Sequence, residues 1–150
     1  MRTYVLCAAI LLMLRTVLLA GTESADKLKA RADAAHGGEQ AKLCLEYARV
    51  ELENSNALFT DGQVDKGQAA IGEVVDYSRK GADAASASGK QLKETEIRLR
   101  KLAERMHDIG QSLAFEDRPL VKQALDDIEQ IRSDLMVKMW GPQAAPKGKS

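Results

Sequence analysis

Leu92-Lys93-Glu94-Thr95-Glu96-Ile97-Arg98-Leu99-Arg100-Lys101-Leu102-Ala103-Glu104-Arg105-Met106-His107-Asp108-Ile109-Gly110-Gln111-Ser112-Leu113 is the stretch that decides the fold. Within it Leu92, Thr95, Leu99, Leu102, Met106, Ile109 and Leu113 alternate steps of three and four without a slip. Such a seam belongs to one face of a helix that packs against others as a coiled coil does. The intervening Lys93, Glu94, Glu96, Arg98, Arg100, Lys101, Glu104 and Arg105 mix both signs of charge, as a solvated face would.

Downstream, Asp117-Arg118-Pro119 closes this helix and opens another, because proline disfavours helix in the residue before it and suits a helical first turn. Val121, Ala124, Ile128, Ile131 and Leu135 repeat the seam, and Trp140-Gly141-Pro142 ends it. Upstream, Val64 opens a helix whose inward face is Ala70, Ile71, Val74, Val75, Ser78, Ala82 and Ala85, small enough for a neighbour to approach closely. Ser86, Ser88 and Gly89 mark a turn after it, with one bent helix running through as the alternative. Before it, Ala41, Leu45, Ala48, Leu52 and Phe59 share a face from Glu39 onward, and Asp61-Gly62 stops that helix. Ser24-Ala25-Asp26 offers N-cap chemistry for a first segment reaching Ala35, which Gly37-Gly38 interrupts. No stripe exceeds two or three residues per heptad, so each helix needs neighbours to bury it. Short connections favour antiparallel neighbours. The expected fold is all-α, an elongated antiparallel bundle of about four helices, with tetratricopeptide-like helical hairpins as the alternative.

Composition agrees. Aromatic residues are 4% of the chain, apolar residues 45% and charged residues 29%. That is too charged for a membrane bundle and too apolar for a disordered chain. Basic and acidic residues balance at 22 each, which leaves no electrostatic footprint for nucleic acid. Residues 1–20 read as a signal peptide: Arg2 supplies the positive start, Tyr4 to Leu14 the apolar run, and Arg15 interrupts it before Val17-Leu18-Leu19-Ala20. Cleavage is expected after Ala20, or after Ala25. An uncleaved anchor is the other reading, although the run is shorter than the ~20 residues that span a bilayer. Thr22 stands where a lipoprotein cysteine would follow Leu19-Ala20-Gly21, so no lipid anchor is expected. The expected organisation is a leader over 1–20, a helical bundle over 21–140 and a disordered tail over 141–150, with the protein in the periplasm or secreted. Cys7 departs with the leader and Cys44 stays alone, a small buried hydrophobe or a thiol for pairing between chains.

Two resemblances follow. Leu58-Phe59-Thr60-Asp61-Gly62-Gln63-Val64-Asp65-Lys66-Gly67-Gln68-Ala69-Ala70 resembles the hairpin of a tetratricopeptide repeat, with Gly67 where that family usually has alanine, no terminal proline and no second copy. Ala57-Leu58-Phe59-Thr60 with Asp61-Gly62, Gly89-Lys90 with Lys93-Glu94-Thr95-Glu96-Ile97, and Leu113-Ala114-Phe115-Glu116-Asp117-Arg118-Pro119 resemble a group of exported bacterial helical proteins. That resemblance implies export and helicity and no chemistry.

Candidate sites are few. Glu104 and His107 hold the Glu-x-x-His spacing that puts two metal ligands on one helix face, but carboxylate-bridged di-iron bundles need that motif twice. Of the two histidines, His36 lies beside Gly37-Gly38. Cys-x-x-Cys-His is absent, so covalent haem is excluded, and non-covalent haem would need ligands among Met106, His107, Met136 and Met139. Neither Gly-x-Ser-x-Gly nor a phosphate-binding glycine loop occurs. Asp126 and Asp127 are adjacent and face different sides of a helix. The basic residues Arg98, Arg100, Lys101 and Arg105 are interleaved with acids, which argues against nucleic-acid or membrane-surface binding. No enzyme is expected and no cofactor. The expected function is an exported scaffold or protein-interaction protein of the bacterial cell envelope, binding a protein partner or itself through the seam of Leu92, Leu99, Leu102, Met106, Ile109 and Leu113. A small metal- or haem-binding bundle is the alternative.

Overall fold

Glycines, a serine cap and one proline set the helix ends. The computed structural model describes residues 24–141. The leader expected over 1–20 and, apart from Gly141, the tail expected over 141–150 lie outside the described residues. Among the described residues five helices follow in order: α1 Ala25–Ala34, α2 Gly37–Thr60, α3 Val64–Ser88, α4 Leu92–Ser112 and α5 Arg118–Trp140. No strand occurs among the described residues. The described residues therefore hold one helix more than the about four that the stripes suggest, because α1 is a separate ten-residue helix.

Ser24 caps α1, its hydroxyl accepting from the Lys27 amide at 3.4 Å. Ala35 and His36 are extended, and Gly37 opens α2 at φ +60°, a conformation that costs glycine little. At the other end of α2 the Gly62 amide donates to the Phe59 carbonyl at 3.0 Å and the Gln63 amide to Leu58 at 2.8 Å. This is a Schellman closure with Gly62 left-handed at φ +73°. The α3–α4 turn likewise holds Gly89 at φ +66° and Gln91 at φ +64°. Two left-handed residues within three positions rule out one bent helix through this point. Pro119 sits in the first turn of α5.

Side-chain pairings fix the directions. Gly81 faces Ala41 and Leu45, while Gly67 faces Phe59, so α2 and α3 are antiparallel. Arg132 reaches Glu96 at 2.8 Å while Gly110 faces Val121, so α4 and α5 are antiparallel as well. Lys29 pairs with Glu73 and Asp33 with Tyr77, which makes α1 parallel to α3. The α1 backbone packs against α2 alone and reaches α3 through long side chains.

The stripes meet in one core. Leu45, Leu52, Ile71, Val74, Leu99, Met106, Ile109, Val121, Ile128 and Leu135 are all buried. Each such side chain contributes about 1.5–3 kcal/mol by leaving water, so the stripes together dominate the bundle's stability. α2 packs against α1, α3 and α4, which explains why it buries Leu43 and Tyr47 beyond its main stripe. No helix among the described residues is long and apolar enough to cross a membrane.

Candidate functional site

The seam of α4 lies inside the molecule. Leu99 and Met106 are fully buried, and Leu102, Ile109 and Leu113 are nearly so. Leu92 is partly buried and packs on the same core. A partner or second copy would meet these side chains only if the bundle opened, so the face read as an interaction seam is core in the folded chain.

Glu104 and His107 are both exposed on α4. His107 joins Met106, Gly110, Val121 and Leu125 along an open cleft of about 260 Å³ between α4 and α5, and Glu104 lies outside it. No group of three or more His, Cys, Asp or Glu side chains is placed to hold a metal among the described residues. The fold also separates the four residues named for haem. With Glu96 level with Arg132, Met136 and Met139 sit at the Leu92 end of α4, about 20 Å along the helix from His107. Axial ligands must instead face one another across one iron, so these side chains do not fit the group.

Two other clusters were not visible in the sequence. The first fastens α1 to the α2–α3 hairpin. Lys29 donates to both Glu73 carboxylate oxygens at 2.8 and 2.9 Å, and the Tyr47 hydroxyl donates to the same carboxylate. Four residues along both helices the pattern repeats: the Tyr77 hydroxyl donates to Asp33 at 2.8 Å and Lys80 to Asp33 at 2.6 Å. The two rings meet edge to face at 4.5 Å, with the Lys29 ammonium 5.6 Å from each centroid. The bonds from Lys29 and Tyr47 hold the Glu73 carboxyl below its usual range. Lys80, then Tyr77, do the same for Asp33. Burial first, and then the acceptor carboxylates, push both tyrosines up. Every polar group in this cluster is committed to another, so it works as a clamp. The spacing of four in Lys29/Asp33 and in Glu73/Tyr77 was its one trace in the sequence.

The second cluster lines a cleft of about 190 Å³ between α2 and α4. Its floor is Leu45, Leu52 and Leu102, and its rim is Arg49, Arg98, Lys101, Arg105 and Glu53. Arg105 forms a bidentate pair with Glu53, both bonds 2.7 Å, which lowers the Glu53 carboxyl. Arg98 pairs with Glu94 at 3.0 Å. Helical geometry sorts what the sequence interleaves. Arg98, Lys101 and Arg105 share a face, whereas Glu96 turns to Arg132 on α5 and both are only 15% exposed.

The turn between α4 and α5 is the third feature. Arg118 folds back, donating to the Leu113 carbonyl at 3.0 Å and to Gln111 at 3.4 Å, and so caps α4. Phe115 projects beyond it, 82% exposed, with Leu120 38% exposed in the first turn of α5. Against family models, curated proteins and solved structures, the chain has no match.

Proposed function

We propose that this chain is an exported helical interaction protein of the bacterial cell envelope, and that it presents the α4–α5 turn to a protein partner. The observation that carries the reading is Phe115, 82% exposed on a turn that Arg118 stiffens from within. Leaving a phenyl ring in water forgoes about 1.5–3 kcal/mol of burial, and a partner recovers it without ordering a loose loop. Leu120, 38% exposed in the first turn of α5, is a second apolar side chain open to water near this turn. Glu116 and Asp117 beside Phe115 are exposed or half-exposed acids, so the complementary partner offers an apolar hollow edged with lysine or arginine. The apolar leader read over residues 1–20 and the likeness to exported helical proteins support the location in the envelope.

The test places a photo-cross-linking amino acid at Phe115, and separately at exposed Lys93, in the chain expressed by its bacterial host. A discrete adduct from position 115 and none from position 93 supports the reading, and an adduct with a second copy assigns self-association to the turn. Equal labelling at both positions, or none at either, refutes it. Intact mass of the exported chain beginning at Gly21 or Asp26 supports export, while the full-length mass opposes it.

A further inference from the structure

We propose that the cleft between α2 and α4 is a binding site for a small organic anion, a carboxylate carried on an aromatic or short hydrocarbon body. The floor and the rim divide the work. Leu45, Leu52 and Leu102 close the base and are almost fully buried, so the apolar surface open to the body comes mainly from the carbon stems of Arg49, Arg98, Lys101 and Arg105 around them. Four cations stand around that floor against one acid, Glu53. The cleft is thus locally cationic in a chain that balances 22 basic with 22 acidic residues overall.

The internal pairings decide which cations face a ligand. Arg105 is held by Glu53 and Arg98 by Glu94. Arg49 and Lys101 form no ion pair within 4.0 Å among the described residues, though Arg49 helps through space to lower the Glu53 carboxyl. Two uncommitted cations on facing helices, above three leucines, make a charge pattern complementary to an amphiphilic anion. A carboxylate between Arg49 and Lys101 would gain charge-assisted hydrogen bonds, with the bidentate fork available from arginine. The size of the cleft limits the occupant. A closed cavity of about 150 Å³ admits benzene, so the 190 Å³ here suits one or two fused rings or a short chain. A partner helix is too wide for it.

The test titrates the full chain with naphthoate and with neutral naphthylmethanol, following ligand fluorescence and the methyl resonances of Leu45, Leu52 and Leu102. Saturable one-to-one naphthoate binding with shifts confined to those methyls is expected. The alcohol should bind about tenfold more weakly, as should naphthoate to the Arg49→Gln/Lys101→Gln variant. Arg100→Gln, on α4 but outside the cleft, should bind as the unaltered chain does. No saturation up to roughly millimolar naphthoate overturns the site. Equal affinity for the alcohol, or equal losses in the Arg100 variant and the double variant, overturns the role of the two cations. Binding of an acidic peptide with none of naphthoate overturns the small-molecule occupant. Unchanged circular dichroism in the variants separates lost binding from lost folding.

Discussion

The same substitution at two glycines of α3 should raise stability at one and leave it level or lower it at the other. Glycine inside a helix costs about 1 kcal/mol relative to alanine. Gly72→Ala therefore gains that amount, because a Cβ there meets nothing within 4 Å. A Cβ at Gly81 would lie 3.2 Å from the Ala41 carbonyl oxygen, 3.2 Å from Leu45 Cγ and 3.3 Å from Cys44 Cβ. All three atoms belong to α2, and one is backbone, which cannot rotate away. Overpacking of this kind costs about 1–3 kcal/mol, so Gly81→Ala ends between neutral and about 2 kcal/mol less stable. The separation between the two variants, about 1–3 kcal/mol, reads the cost of forcing α2 and α3 apart. Urea unfolding followed by circular dichroism measures it, with an unchanged m-value required for the comparison to hold. In thermal melts Gly72→Ala should gain about 4 °C. If Gly81→Ala stabilises as much as Gly72→Ala, the close approach of α2 and α3 at this point is refuted.

Three further outcomes are expected. The Asp33 and Glu73 carboxyls are held below their usual range by Lys80 and by Lys29, so their contribution is complete above the unfolded carboxylate values and fades as pH falls through the lower folded ones. Thermal melts from neutral pH to pH about 3 should lose stability over that acid range, and Glu73→Gln should flatten the loss; an equal acid slope in the variant would show that the clamp does not titrate. Burial pushes the Cys44 thiol up to about 11, and the side chain is fully buried, so an aromatic disulfide reagent should label it only in denaturant, whereas prompt labelling of the folded chain would contradict its place in the core. Ser78 is fully buried and its hydroxyl has no hydrogen-bond partner among the described residues; Ser78→Ala should stabilise the chain by about 1 kcal/mol in the same urea assay, and a loss of stability would mean that the hydroxyl is satisfied after all.

The helices themselves were legible because local rules write them. The stripes of Ala41, Leu45, Ala48 and Leu52, of Ile71, Val74 and Ala82, and of Val121, Ile128 and Leu135 are all buried as their period implies. Gly62, Gly89 and Gly141 end helices where glycine tolerates a positive φ. Ser78 shares the inward register of α3 and is fully buried. The first segment, capped by Ser24 and interrupted before Gly37-Gly38, forms the separate helix α1 and docks by itself. Leu28 and Ala32 bury its inner face.

What each surface meets was decided by the tertiary structure. Periodicity says that a face is apolar, and it does not say whether a neighbouring helix or another molecule covers it; the α4 seam is covered by its own chain. Charge in sequence order says equally little about charge in space. Arg98, Lys101 and Arg105 gather at one cleft with Arg49, which lies 49 positions before Arg98, because antiparallel packing brings distant segments together and a helix turns alternate charges to different sides. Tyr47 and Tyr77 fall outside their helices' main stripes, so only the docking of α1 reveals why they are buried. The sequence by itself determined the helices, their limits and their inward faces, since those follow from contacts within a few residues. The clamp and the cleft rest on contacts between residues far apart in the chain, which no local pattern encodes.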